Sequence, residues 1–327
     1  MYARVVAAMV AAGSVTAVVL LSPASDARAR EDRVPTVIAH RGASAYAPEN
    51  TLTAVDKAAE LGFSWVENDV QRTRDGELVV LHDDSLRRTT NVEDLFPGRA
   101  PWKVKDFTAA EIARLDAGSW FSPAYAGARV PTLRQYMRRV ERNHQKLLLE
   151  IKNPELYPGI EQETVKVLGN EGWLDRGHRG RLIVQSFSAD SVRAVHELKP
   201  AVTTAYLGSP AVAQLHRFAR FTDLVNPSYK SLSRGYVAAV HAFAGPHGRP
   251  LGVFAWTVDD AAAARGVAGH GVDGIITNKP DVVRAALEGD RAGRALSVAG
   301  RTVGPWTAMS GVSSGSRGPS SGRTSAR

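Results

Sequence analysis

From Pro35 onward the chain alternates short aliphatic runs with longer stretches in which apolar residues recur every three or four positions. The short runs predict strands over residues 36–40, 64–70, 146–152, 181–187, 202–207, 223–226, 252–257 and 273–277. The periodic stretches predict helices over 52–61, 160–171, 189–198, 210–218, 234–244, 259–268 and 281–288. Eight strands separated by helices predict an α/β fold, a parallel (β/α)8 TIM barrel; a doubly wound open sheet shares the same alternation. One gap breaks the rhythm. Thr73-Arg74-Asp75-Gly76 predicts a turn, and hence a small hairpin extension after the second strand. Residues 91–133 then carry Pro97, Gly98, Pro101, Gly118, Pro123, Gly127 and Pro131 among Trp102, Trp120, Phe121 and Tyr125. This stretch reads as a small insertion folded over the barrel, its aromatic residues forming a private core.

The periodicity stops at both ends. Residues 5–21 are almost wholly apolar behind Arg4, and Ala27-Arg28-Ala29 has the small-x-small form of a cleavage site. Residues 1–29 therefore read as a secretory signal peptide cut after Ala29, which makes the protein secreted. The competing reading, a membrane anchor, fits less well: the run is short against the roughly 20 residues a spanning helix needs, and it contains Gly13, Ser14 and Thr16. No stable membrane insertion of the mature chain is expected. Residues 289–327, rich in Ser, Gly and Arg, read as a disordered tail.

Composition changes the picture in two ways. The formal net charge is +8, but the tail holds six Arg against one Asp and the leader two Arg against one Asp, leaving +2 for residues 30–288. The basicity thus belongs to the ends, and the domain itself gives no reason to expect a nucleic-acid partner. The chain has no cysteine, so a secreted form must be held by its apolar core, drawn from 44% hydrophobic residues, or by a bound ion.

The polar residues that interrupt the apolar strands carry the chemistry. Alternate side chains of a strand share a face, so Glu67 and Asp69 point one way while Val66, Asn68 and Val70 point the other. Two carboxylates on one face repel unless a cation joins them. Glu150, after Leu147-Leu148-Leu149, is a third candidate ligand, with Lys152 on its face. Such hard oxygen donors suit one divalent cation, Ca2+ favoured over Mg2+. His40 and His82 each end an apolar run, where imidazole can exchange protons near neutral pH. Cleavage of a phosphodiester requires one group to take a proton from the attacking hydroxyl and another to protonate the leaving oxygen. Arg41 and Lys152 can balance the phosphate charge. The other seven histidines lie in helical or loop patterns and receive no role.

With these residues in order, the chain resembles the glycerophosphodiester phosphodiesterases. The resemblance spans residues 37–287 and rests on His40-Arg41-Gly42 with Pro48-Glu49-Asn50-Thr51, Glu67-x-Asp69-Val70, Val80-Leu81-His82-Asp83, Arg88-Thr89-Thr90, Glu150-Ile151-Lys152, Gln185-Ser186-Phe187, Trp256-Thr257-Val258 and Thr277-Asn278-Lys279-Pro280. It implies a TIM barrel, His40 and His82 as the general acid/base pair, Glu67, Asp69 and Glu150 as ligands of a divalent cation, and Arg41 and Lys152 as phosphate contacts. It further implies Trp256 beside the glycerol or leaving group, with Gln185 and Phe187 lining the same mouth and Asn278 bracing the last strand-to-helix turn. The implied reaction releases glycerol 3-phosphate and an alcohol from a small glycerophosphodiester or a glycerol-phosphate polymer, by direct attack of water or through a cyclic phosphate. Two alternatives stand beside it: a phospholipase C- or D-like enzyme on the same barrel, and a catalytically inactive extracellular binding protein for phosphorylated polyols.

Overall fold

The computed structural model describes residues 33–301 other than Arg176, His178 and Arg179, with side chains as far as Asp290. The leader, residues 1–29, and the tail beyond Arg301 lie outside the described residues.

Eight parallel strands close a barrel. They are β1 (Thr36–Ala39), β2 (Trp65–Arg72), β4 (Lys146–Ile151), β5 (Leu182–Ser186), β6 (Thr203–Leu207), β7 (Leu224–Asn226), β8 (Gly252–Ala255) and β9 (Gly274–Thr277). Each pairs in parallel with its neighbours, and β1 bonds to both β2 and β9, which closes the ring. The short β3 (Leu78–Val80) runs antiparallel to β2, with Val70 opposite Val80 and Arg72 opposite Leu78, and forms the expected hairpin. The ring helices are α1 (Leu52–Glu60), α4 (Leu133–Arg142), α5 (Ile160–Asn170), α6 (Ala189–Leu198), α7 (Leu215–Phe218), α8 (Arg234–His241), α9 (Ala261–Gly269) and α10 (Pro280–Arg301); α2 (Val92–Leu95) and α3 (Ala109–Ile112) belong to the insertion.

Strand alternation sorts the side chains into layers. Outward residues such as Val66, Val70, Leu147, Leu149, Val253 and Ile275 are buried against the helices. Inward, Ile38, Trp65, Leu148, Ile183, Ala205, Leu224, Phe254 and Ile276 fill the barrel. Two positions further along the same strands the inward residues become His40, Glu67, Glu150, Gln185, Leu207, Asn226, Trp256 and Asn278. A dry apolar layer thus supports a mainly polar one at the carboxyl-terminal mouth, where barrels of this kind carry their sites.

The insertion has its own core of Leu86, Val92, Val104, Phe107, Ile112 and Leu115, against which Trp102 packs. Trp120, Phe121 and Tyr125 do not join it; they form a separate edge-to-face series, with Trp120 41% exposed. The Tyr125 hydroxyl donates to the Tyr46 carbonyl (2.7 Å), tying the insertion to the loop after β1.

Three elements differ from the sequence pattern. Helix α4 begins where the pattern places the end of the insertion, capped by Thr132 and Gln135 in a reciprocal capping box. The stretch 210–218 splits into a 3-10 turn, Val212–Gln214, and the short α7. The last helix continues past Glu288 to Arg301, into residues whose composition predicts no structure. No helix among the described residues is long and apolar enough to cross a membrane.

Candidate active site

The first histidine leaves the ladder directly after β1. Arg41 and Gly42 follow with φ of 56° and 79°, so the chain turns sharply and the Arg41 N–H points back to donate to Glu67 Oε2 (2.9 Å). A side chain at position 42 would also meet Ala54, since a Cβ there would lie 2.6 Å from its carbonyl carbon, so glycine is required twice over. Asn50, itself at φ 59°, donates from Nδ2 to Asp69 Oδ2 (2.8 Å), and Thr51 caps α1.

Glu67, Asp69 and Glu150 come together as the strand register requires, because Asp69 lies opposite Glu150 across the β2–β4 pair. One oxygen from each lies within 4.8 Å of the others, the only such cluster among the described residues, and all three side chains are buried. Burial, with the Asp69 and Glu150 charges, raises the Glu67 pKa well above the ordinary carboxyl range. Burial and Asp69 push Glu150 up to about 8 against the pull of Lys152. Burial would raise Asp69 too, but Arg41, His82 and Lys152 outweigh it and hold Asp69 low. Glu67 Oε1 and Asp69 Oδ1 are buried without a hydrogen-bond donor. Buried carboxylate oxygens left in that condition are costly unless a cation meets them, so the donor set fits one hard divalent ion.

The two histidines face this cluster from different supports. His40 Nε2 is 3.9 Å from Glu67 Oε2, and its Nδ1 is 2.7 Å from Asn278 Oδ1. Burial and the adjacent Arg41 lower its pKa to about 4, so it is neutral at pH 7 despite the opposing influence of Asp69 and Asn278. His82 follows β3, and its Nδ1 is 2.7 Å from Asp83 Oδ1. Arg88 grips Asp83 and Glu49 together, with Nε to Asp83 Oδ2 at 2.6 Å and a two-nitrogen clasp on Glu49 at 2.7 and 2.9 Å. Arg41 bonds the same Glu49 (2.9 Å), so one network joins both histidine loops. Gln71, two residues beyond Asp69 on β2, donates to the backbone carbonyls of Leu81, His82 and Asp83 and accepts from Tyr157, which pins the second loop.

Lys152 ion-pairs with Glu150 (2.8 Å) and faces the Phe187 ring. Phe187, half exposed, stands edge-to-face with Trp256 at 5.5 Å on the rim. Gln185 is buried below, accepting from Asn226 (2.9 Å). All ten residues singled out from the sequence therefore meet at one mouth. Arg41, Glu67, both histidines and Lys152 line a cavity of about 80 Å3. A larger hollow of about 510 Å3, bounded by Trp173, Lys199 and Arg249, opens near the amino-terminal ends of β5 and β6, away from this cluster.

Residues 40–282 match the glycerophosphoryl diester phosphodiesterase family. This chain belongs to that family. A glycerophosphodiester phosphodiesterase of Bacillus subtilis is 36% identical over 273 residues, spanning 79% of this chain and 88% of its own. One from Caldanaerobacter subterraneus is 35% identical over 250 residues, 76% of this chain and 95% of its own. Among solved structures, an Oleispira antarctica phosphodiesterase in complex with its product sn-glycerol-3-phosphate superposes with a TM-score of 0.67 at 28% identity, covering 78% of this chain and 97% of that one. The chain is accordingly a glycerophosphodiester phosphodiesterase, a hydrolase of phosphoric diesters.

The residues that sequence reasoning passed over are the supports. Glu49, Asp83 and Arg88 stand inside motifs carrying the resemblance, yet nothing in strand parity says which of them will touch a histidine; Asn278, expected to brace the last strand-to-helix turn, also reaches His40. Gln71 has a legible signal: it continues the inward face set by Glu67 and Asp69.

Proposed function

We propose that the chain is a secreted, cation-dependent glycerophosphodiester phosphodiesterase in which His40 and His82 divide the proton transfers. The observation that carries this reading is the meeting of two differently supported histidines with a buried three-carboxylate cluster that lacks donors for two of its oxygens. His40, neutral and with Nε2 toward the carboxylates, takes the proton from the attacking hydroxyl, whether of water or of the neighbouring glycerol carbon. His82 gives a proton to the departing alcohol oxygen as the P–O bond breaks, with the Asp83 carboxylate compensating the charge on its ring. Arg41 and Lys152 balance the phosphate, and the exposed Phe187 with Trp256 borders the carbon skeleton of the substrate or its leaving group. Glu67, Asp69 and Glu150 would hold the divalent ion, which when bound supplies positive charge to a substrate oxygen. Ca2+ suits a site of three carboxylates that leaves room for substrate oxygens better than Mg2+ does.

The deciding experiment measures glycerol 3-phosphate release from glycerophosphocholine by the purified chain, with EDTA and then with Ca2+ or Mg2+ restored. We expect release that EDTA stops and Ca2+ restores best; release indifferent to EDTA would remove the ion from the reading. Secretion rests on the apolar leader and the Ala27-Arg28-Ala29 site. Sequencing the amino terminus of protein recovered from culture medium tests it, with residue 30 expected first.

A further inference from the structure

Two stretches of the sequence pattern, Trp256-Thr257-Val258 and Thr277-Asn278-Lys279-Pro280, do more than line the mouth. They deliver an aspartate and an asparagine that join to the first histidine. Asp259, just after the first stretch, accepts through Oδ1 from the Asn278 backbone N–H (2.8 Å) and from Thr277 Oγ1 (3.1 Å). Its Oδ2 accepts from Asn278 Nδ2 (2.7 Å). A carboxylate can only accept, so the Asn278 amide has one permitted orientation: NH2 toward Asp259, carbonyl oxygen toward His40. In that orientation Ser44 Oγ donates to the same oxygen (2.7 Å). A carbonyl oxygen 2.7 Å from His40 Nδ1 requires Nδ1 to carry the hydrogen. In neutral His40 the lone pair is then on Nε2, the nitrogen that faces Glu67.

We infer that Asp259 is a positioning residue for the hydrolysis, fixing the His40 tautomer through Asn278 without touching substrate. This rests on the reading of His40 as the proton acceptor. It extends that reading by naming a residue two side chains removed from the chemistry that decides whether His40 has a lone pair where it is needed.

Asp259→Asn is nearly isosteric and makes a sharp prediction. The introduced amide still accepts through its oxygen from the 278 backbone and Thr277, so its NH2 must face the Asn278 side chain. Asn278 then turns its oxygen to position 259 and its NH2 to His40, which forces the hydrogen onto Nε2. We expect kcat to fall at least about 100-fold with KM within about threefold, a smaller loss than the roughly 10⁴-fold seen when a carboxylate bonded directly to a catalytic imidazole becomes an amide. The double variant Asp259→Asn with Asn278→Asp returns a carboxylate oxygen to His40 Nδ1, with the introduced amide at position 259 donating to it, and is expected to recover most of the rate.

The measurement that separates positioning from general damage is the 15N spectrum of the histidine side chains in the full chain, at neutral pH. The His40 hydrogen should sit on Nδ1 in the parent, on Nε2 in Asp259→Asn, and on Nδ1 again in the double variant. An unchanged tautomer in Asp259→Asn, whatever the rate, overturns the inference; so does a switched tautomer with an unchanged rate, provided His40→Gln is inactive. If His40→Gln is active, it is the reading of His40 as proton acceptor that has failed.

Discussion

His40 and His82 have the same side chain and different surroundings, which suit them to the two different proton transfers proposed for them. His40 is largely enclosed beside Arg41 and bonded to a neutral amide; His82 is bonded to a carboxylate that this hydrogen bond and Arg88 together hold ionised. On the proposed mechanism, His40→Ala and His82→Ala should each lower turnover at least about 100-fold, as removing a general acid or base does, while the protein still folds and binds the proposed cation. Turnover assays beside calorimetric titration with Ca2+ check this, and near-parental turnover in either variant removes that histidine from the mechanism. Strand parity made the inward carboxylates legible in the sequence, because Glu67, Asp69 and Glu150 follow the same two-residue alternation as the apolar layer beneath them. Partners were not legible in that way. Asn278 reaches His40 across 238 positions of sequence, and no local pattern encodes a contact made only when the barrel closes.

At the scale of elements, the hairpin and the insertion are what bring His82 to a site built by the barrel strands. Arg88 spans the gap by bonding Glu49 in the loop after β1 and Asp83 in the loop after β3, and so sets the distance between the histidines. Arg88→Gln should lower kcat by about 10- to 100-fold, since it releases both carboxylates from their shared fork. An unchanged kcat would mean that the loops hold their places by backbone contacts alone. Helix α4 shows where element prediction failed and why. Leu133, Tyr136, Met137 and Val140 form a buried stripe at helical spacing, and Thr132 with Gln135 marks its start. The proline- and glycine-rich insertion runs up to Pro131, so its irregular composition masked the first turn. Thr132→Ala should cost about 1 kcal/mol by loss of the cap and leave kcat unaltered, which denaturant titration and an activity assay together report.

The whole molecule follows from the repeat of strand and helix, and every barrel strand expected from the sequence is present, differing by a residue or two at its ends. Those trimmed ends are informative: His40, Lys152 and Phe187 fall just beyond their strands, and Trp256 sits on an isolated bridge to Ser228 past β8, where side chains can turn toward a ligand. With no disulfide, the domain relies on its layered core, and that core encloses three carboxylates at one end. This arrangement links stability to pH and, through the proposed cation, to metal binding. Glu150 has a folded pKa of about 8 against an ordinary value of 4.5, and Glu67 is shifted in the same direction. Between those values these two carboxyls hold more protons in the folded chain than in the unfolded one, so without an ion their contribution to stability falls as pH rises from about 4.5 through about 8, while the lowered pKa of His40 works in the opposite direction between about 4 and 6.5. A cation competes with those protons for the same oxygens and, binding only the folded chain, stabilises it by mass action. The rise in melting temperature on replacing EDTA with Ca2+ should therefore be larger near pH 8 than near pH 5, about the two ends of that interval. Glu67→Gln should shrink the rise at the higher pH while leaving the chain at least as stable in EDTA, because it replaces a carboxyl whose ionisation the buried cluster disfavours with a neutral amide. Equal shifts at both pH values, or a full shift in Glu67→Gln, would place the ion somewhere other than on these three carboxylates.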